Sequence, residues 1–267
     1  MLESLFDNAL LCIDETDVDK KISLTNAVFQ KWQDEQLSLE ELNPNINRIS
    51  IPGRPQKPKL VAPKELPRRR LGSPQGVAAL IHSICHIEFN AINLAWDAVY
   101  RFRDMPREYY SDWVNVAKEE AYHFSLLHEV LQEKGFVYGD FPAHNGLWEM
   151  AVDTDFDPLV RMALVPRVLE ARGLDVTPGI IDKLSGIGEN NAVAVLQIIH
   201  RDEIGHVEVG SRWFRYLCDK RGYDYQQMFK TLLVKYLKNG LKKPLARDTR
   251  LKAGFTEEEL NFLEQNI

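Results

Sequence analysis

The chain has 267 residues, of which 45% are apolar and 27% charged, and its formal net charge is −6. These values are typical of a globular protein with a full core, and the acidic balance gives no general case for nucleic acid or an anionic membrane surface. The acidic N-terminus does not resemble a signal or transit peptide, and the longest nearly apolar run, at 191–200, is too short to span a membrane. Cys12, Cys85 and Cys218 form no C-x-x-C pair, so we expect reduced thiols in a cytoplasmic protein.

The first part of the chain predicts two helices followed by a proline-rich segment. Residues 1–42 contain the two helical patterns, and seven of the 13 prolines lie between Asn43 and Gln75. Such a proline density excludes regular helix and central strand. Interspersed aliphatic residues favour an arm laid over the protein surface instead of a flexible linker.

From Ser73 onward the chain predicts helices throughout. Ser73 and Pro74 form an N-cap followed by proline at the first helical position, and Thr256 with Glu259 forms a capping box near the C-terminus. No segment alternates with a two-residue period, so the predicted fold is all-α. The predicted helical segments are 72–102, 104–135, a short one within 139–151, 157–173, 177–186, 189–222, 224–240 and 256–265.

Two E-x-x-H pairs lie within long helical segments. Glu120 and His123 form the first pair, and Glu203 and His206 form the second. Residues three apart share one face of a helix, so each pair can direct a carboxylate and an imidazole at the same metal ion. Two such matches alone are little better than chance, and their setting therefore matters more than their number.

A lone glutamate precedes each pair at almost the same distance. Glu88 lies 32 residues before Glu120, and Glu170 lies 33 residues before Glu203. Two such helical hairpins, packed as a four-helix bundle, would bring four carboxylates to a common centre, as in ferritin-like di-iron and di-manganese proteins. Two divalent cations would balance those four buried charges. The predicted metal ligands are Glu88, Glu120, His123, Glu170, Glu203 and His206; no catalytic residue is assigned beyond them.

Several neighbouring side chains leave alternatives open. The alternative interpretation of the six residues is that the four glutamates are exposed helix charges and the two histidines are core residues. Glu149 could take the place of Glu170, and His200 is interpreted as a core histidine more readily than as a seventh ligand. Pro166 should kink its helix one turn before Glu170, either for packing or to aim that carboxylate or open access to the metals.

Small residues on the predicted ligand faces indicate room beside the metal ions. Ala91, Ala95 and Gly210 could leave space there for a small molecule. His82 and His86 lie more than a quarter turn around their helix from the lone glutamate, so we do not expect them to be ligands.

Five stretches between about residues 66 and 216 carry a resemblance to a known family: "RRRLGSPQGVAALIHSICHIEFNAI", "EEAYHFSLL", "YGDFPAHNGLWEMA", "RMALVPRVLEARGLDVTPG" and "DEIGHVEVGSRWF". In these stretches the chain is similar to ferritin-like proteins generally and to the DUF455 family of ferritin-like proteins more closely. The resemblance implies a ferritin-like di-metal four-helix bundle over 73–222. N-terminal helices and the proline-rich arm would occupy 1–72, and a C-terminal helical extension 223–267.

The resemblance also implies roles for the six ligands. By the ferritin-like pattern, Glu120 and Glu203 would bridge two metal ions. The terminal ligands would be Glu88 with His123 on one side and Glu170 with His206 on the other.

The ligand set favours iron, with manganese as the other candidate, over zinc, which prefers four nitrogen or sulfur ligands. The predicted function is an O2-activating di-iron oxidoreductase, a hydroxylase or oxidase, acting on an unknown small-molecule substrate. The chain shows no ferredoxin, flavin or nucleotide motif, so a separate electron donor is expected. One alternative is a tRNA-modifying di-iron hydroxylase that would contact phosphates through "KELPRRR" and "KNGLKKPLARDTRLK". The other is a non-catalytic metal-binding or structural protein.

Overall fold

The computed structural model describes residues 2–40, 45–67, 70–237 and 242–265. The chain is predominantly helical, which confirms the all-α prediction. It divides into two compact units, unit 1 at Met1–Val152 and unit 2 at Asp153–Ile267. The ferritin-like bundle over 73–222 and the boundaries after residues 72 and 222 stay predictions.

Unit 1 consists mainly of helices that follow the predicted segments. Asp17 caps one of them by accepting a hydrogen bond from the Lys20 amide at 3.0 Å. Two-residue strands, β1 (Glu3–Ser4) and β2 (Leu37–Ser38), pair in parallel, and a single 3₁₀ turn lies at Pro63–Glu65. The helices are α1 (Leu5–Asp14), α2 (Val18–Gln33), α3 (Pro74–Arg101), α4 (Arg107–Glu133) and α5 (Gly146–Asp153).

Helices α3 and α4 form the centre of unit 1. The Ser73 hydroxyl accepts a hydrogen bond from the Gly76 amide at 3.1 Å, so α3 begins where the sequence predicts. Gly135, with φ of +77°, ends the turn after α4. Among the described residues, α3 is the one helix long and apolar enough to cross a membrane. Its most apolar 18-residue segment is 72% buried inside the protein. A core helix can be equally long and apolar, so this is weak evidence for a span.

The proline-rich arm makes hydrogen bonds within unit 1. Its Gly53 amide donates to the Ile13 carbonyl at 2.8 Å, and its Ile49 carbonyl accepts from the Trp148 indole at 3.2 Å. Further along, backbone bonds pair the arm with Ala143. The prolines prevent this segment from forming a helix, and these bonds give its backbone groups other hydrogen-bond partners. Pro44 lies outside the described residues.

Unit 2 is built around one long helix, α8. The helix ends near Gly222, whose φ is +69°. At the other end of the unit, the predicted capping box is confirmed, because the Thr256 amide donates to Glu259 at 2.9 Å and the Glu259 amide donates to the Thr256 hydroxyl at 3.2 Å. The elements are α6 (Pro158–Leu164), a π-helical turn (Val165–Glu170), α7 (Ala171–Ser185), α8 (Asn190–Lys220), α9 (Tyr225–Tyr236), α10 (Arg247–Lys252) and α11 (Glu257–Gln265).

The segment between α6 and α8 corrects the sequence prediction. A helix ending at Gly173 and a separate helix over 177–186 were expected, but α7 runs through Gly173 and contains Pro178. Buried Leu174 and Leu184 anchor this helix, and their packing outweighs the low helix propensity of the glycine and the proline. The predicted kink at Pro166 takes the form of the π turn.

Candidate metal centre

Three predicted ligands meet inside unit 1. Glu88 lies on α3, while Glu120 and His123 lie one turn apart on α4. The Nδ1 atom of His123 is 3.5 Å from a carboxylate oxygen of Glu88 and 3.5 Å from one of Glu120. All three are buried, with exposed fractions of 3%, 1% and 0% respectively. We call these residues the unit 1 group.

The electrostatics of the unit 1 group favour a bound cation. Burial opposes a charge on His123, but hydrogen bonding and attraction from Glu120 and then Glu88 outweigh it and raise the pKa of His123 to about 11. If both buried carboxylates are ionised, they carry more negative charge than one imidazolium can balance. Two carboxylate oxygens and one imidazole nitrogen at this spacing are also the donor types that iron and manganese bind in proteins. The residues fit a divalent metal ion.

Unit 2 carries the second E-x-x-H pair on α8. The Nδ1 atom of His206 is 3.3 Å from a carboxylate oxygen of Glu203, whose side chain is 12% exposed. Glu170 is the last residue of the π turn, which packs against α8, and it is partly exposed. We call these three residues the unit 2 group. By residue type and burial, each E-x-x-H pair could contribute to holding a metal ion, Glu120 with His123 in unit 1 and Glu203 with His206 in unit 2.

The structure bears on the alternative ligands that the sequence left open. Glu149 is exposed on α5, which is unfavourable for a ligand in a buried centre. Burial lowers the pKa of His200, and its buried Nδ1 atom has no hydrogen-bond partner among the described residues. Glu170 as a ligand stays a prediction, and so does the complete set of six.

Gly210 does not leave room for a small molecule beside the predicted ligands of unit 2. A Cβ atom placed there would lie 2.4 Å from the Cβ and Cγ atoms of Pro166. The ring of Pro166 therefore occupies the space that the glycine leaves, and the prediction of free volume at this position is wrong. Ala91 and Ala95 of α3 are buried in unit 1.

Two histidines of α3 that were not expected to be ligands have other partners. His86 Nδ1 is 2.7 Å from the Tyr138 hydroxyl, and His86 Nε2 is 3.2 Å from the His144 carbonyl. His82 Nε2 accepts a hydrogen bond from the Gly139 amide at 2.9 Å. Burial lowers the pKa of both histidines to about 4, so both act as neutral groups that fasten the loop after α4.

One aromatic residue near the unit 1 group, Tyr138, was not singled out by sequence reasoning. The Tyr138 ring packs against those of Phe89 and Phe124, at centroid distances of 5.4 and 5.1 Å, and these phenylalanines directly follow Glu88 and His123 in sequence. No local pattern marks a tyrosine in a loop as a neighbour of two helices. On α4, the buried indole Nε1 of Trp113 has no hydrogen-bond partner among the described residues.

Comparisons with known proteins extend over nearly the whole chain. The DUF455 family, described as a protein of unknown function, matches residues 14–261. A Haemophilus influenzae protein described as uncharacterized is 45% identical over 253 residues, which cover 91% of this chain and 88% of that protein. No solved structure matches the chain. The matched range includes both E-x-x-H pairs and both lone glutamates.

Proposed function

The chain belongs to the DUF455 family, and from this premise and the two residue groups we propose that it is a di-iron carboxylate protein of the ferritin-like superfamily. Its activity would be that of an O2-activating oxidoreductase, a hydroxylase or oxidase, on a small-molecule substrate. The observation that carries the proposal is the unit 1 group, in which two buried carboxylates converge on one imidazole nitrogen.

Repetition of the same residue types supports a centre with two metal ions. The unit 2 group repeats the E-x-x-H pair of the unit 1 group, and its lone glutamate stands at nearly the same spacing in sequence. We propose that each group supplies one lone glutamate, one bridging glutamate and one histidine to a shared centre. Four carboxylates would then balance two divalent cations, which removes the cost of burying unpaired charge.

The donor set also supports the identity of the metal. Carboxylates outnumber imidazoles two to one, and such oxygen-rich sites suit iron or manganese better than zinc. When bound, two ferrous ions supply the two electrons that O2 activation requires, and a separate electron donor would restore them. The protein's own contribution is to hold, orient and enclose the ions.

We propose that a small substrate binds in unit 1 beside these ligands. Ala91 and Ala95 follow Glu88 by one and two turns on the same face of α3, and Trp113 precedes Glu120 by two turns on α4. Because these helices run antiparallel, the alanines and the indole lie toward the same end of the unit 1 group. We assign the Trp113 N–H, a buried donor without an acceptor in the described chain, to orient a polar group of the substrate.

The tRNA alternative receives no added support. Residues 68, 69 and 238–241 of its two basic stretches lie outside the described residues. In the described part, Arg172 donates hydrogen bonds to the carbonyls of Lys242, Lys243 and Pro244, so this part of the stretch is fastened to α7. Binding to tRNA stays a prediction.

Metal analysis followed by an oxygen assay tests the proposal. Purified protein, loaded anaerobically with ferrous iron, should bind two ions, consume O2 on mixing and develop the absorbance of an oxidised iron pair. Glu120→Ala and Glu203→Ala should each lose bound iron, because each removes a proposed bridging ligand. Glu129→Ala, an exposed carboxylate on α4, is the matched control and should behave as wild type.

Two results would overturn the proposal at different levels. Retention of both ions by Glu120→Ala and by Glu203→Ala would eliminate the metal centre itself. Two bound ions without O2 uptake or an absorbance change would eliminate the oxidoreductase and leave a metal-binding or structural protein.

A further inference from the structure

The π turn that ends at Glu170 is packed tightly against α8. Pro166 lacks an N–H group and cannot make the helical bond to Met162, which favours a widened turn at this point. Its ring rests on Gly210, where even a methyl group would lie within 2.4 Å. The backbone of the turn is therefore set against α8 without intervening side-chain volume.

Arg167, in the middle of the π turn, is held by a cage of aromatic and polar groups. Its side chain is 0% exposed. The guanidinium carbon lies 4.0 Å from the ring centre of Phe229, 4.5 Å from that of Phe255 and 4.9 Å from that of Phe214. These distances are typical of cation–π contacts, which are strongest when the cation is desolvated.

The C-terminal helix supplies the counter-charge. Arg167 Nη2 donates to a Glu259 carboxylate oxygen at 2.7 Å, and Glu259 is also 0% exposed. The other Glu259 oxygen accepts the capping bond from the Thr256 amide. Arg167 Nε donates to the Ser211 hydroxyl at 3.2 Å, and Ser211 donates in turn to the Ala253 carbonyl at 2.8 Å.

A second buried ion pair fastens the same segment just beyond Glu170. Arg250 of α10 donates to both carboxylate oxygens of Asp175, each at 2.8 Å, and to the Ala171 carbonyl at 3.3 Å. The Ala246 amide also donates to Asp175, at 2.9 Å. The C-terminal helices thus contact the Glu170 segment on both sides of the glutamate in sequence.

We propose that Arg167 and Glu259 are positioning residues, whose ion pair in the phenylalanine cage fixes the π turn so that Glu170 is held in place for the metal centre. This inference rests on the proposed function. A buried ion pair adds little stability compared with apolar residues of similar volume, because both charges must be desolvated. Its hydrogen bonds have specific directions, however, and can fix a backbone turn in one geometry. The C-terminal extension therefore supports the metal site without supplying a ligand to it.

Titration with Mn²⁺ tests the inference. Wild-type protein should bind two ions and show the electron paramagnetic resonance signal of a coupled pair. Glu259→Gln keeps the size of the side chain and an oxygen for the capping bond, but it removes the charge. This variant should bind one ion as wild type does, bind the second about 10–100-fold more weakly, and show the signal of isolated Mn²⁺. Glu264→Gln, on the same helix and in an exposed ion pair with Arg247, is the control and should match wild type.

A double variant separates positioning from stability. Arg167→Met with Glu259→Leu replaces the ion pair by apolar groups and also removes the acceptor of the Thr256 amide, so its thermal midpoint should stay close to that of wild type. It should nevertheless bind the second Mn²⁺ ion as weakly as Glu259→Gln does. If the double variant binds both ions with wild-type affinity, the pair only stabilises the fold and the inference is wrong. The double variant also decides the question if Glu259→Gln does not fold.

The remaining outcomes distinguish this inference from the proposed function. Wild-type affinity for both ions in a folded Glu259→Gln variant overturns the inference alone. A wild-type protein that binds neither Mn²⁺ nor Fe²⁺ overturns the proposed function, and the inference falls with it.

Discussion

The two residue groups carry the same chemistry on differently built helices. In unit 1, Glu88 and Glu120 stand on regular α-helices and are almost fully buried. In unit 2, Glu203 is 12% exposed and Glu170 ends a π turn. The first group needs only the regular packing of two helices, whereas the second depends on a distorted turn held by distant residues. A repeated sequence pattern therefore does not imply that its two copies are supported in the same way.

Removing the lone glutamates tests whether the two groups are equivalent. Glu88→Ala and Glu170→Ala should each reduce the bound iron from two ions to one, because each removes one proposed terminal ligand and leaves both proposed bridging glutamates. Iron analysis after desalting measures this. If Glu170→Ala keeps two ions while Glu88→Ala keeps one, the comparison breaks down and Glu170 is not a ligand.

A methyl group added at Gly210 tests the tight packing of the π turn against α8 in unit 2. Gly210→Ala should lower the free energy of unfolding by about 1–3 kcal/mol, because the new methyl group would overlap the Pro166 ring. Gly205→Ala on the same helix, where a Cβ meets nothing within 4 Å, should raise it by about 0.5–1 kcal/mol. Denaturant unfolding of the two variants measures the difference. Equal effects would mean that Pro166 does not press on α8.

Lowering the pH should act on unit 1 through its buried histidines. The His86 side chain binds a proton near pH 6.5 in the unfolded chain, but burial lowers its pKa to about 4 in the folded protein. Its contribution to stability is therefore fully present above pH 6.5. It is lost as the pH falls from 6.5 to 4, at up to about 1.4 kcal/mol per pH unit.

Unfolding of the metal-free protein at several pH values checks this expectation. His86→Gln removes the titrating group, so the free energy of unfolding should fall less steeply between pH 6.5 and 4 than in wild type. An unchanged slope would show that the folded protein binds this proton as readily as the unfolded chain does.

Local patterns in the sequence were enough to predict the positions of most of the helices. Ser73 and the Thr256–Glu259 box act as the caps that their residue types predict, because capping depends only on neighbours within one turn. The prediction failed near Gly173 and Pro178, where buried leucines of α7 outweigh local propensity. The gathering of Glu88, Glu120 and His123 was also predictable, since a fixed spacing on two antiparallel helices brings their faces together.

The all-α fold and the spacing of the carboxylates and imidazoles could be derived from the sequence, because helix periodicity and capping are local properties of the chain. The contact of Pro166 with Gly210 and the pairing of Arg167 with Glu259 are properties of the folded chain. Those residues are separated by up to 92 positions, and a lone arginine, glutamate or phenylalanine in sequence carries no sign of the partner it will contact. The geometry of Glu170 depends on such long-range contacts, so it could not be predicted from its own helix.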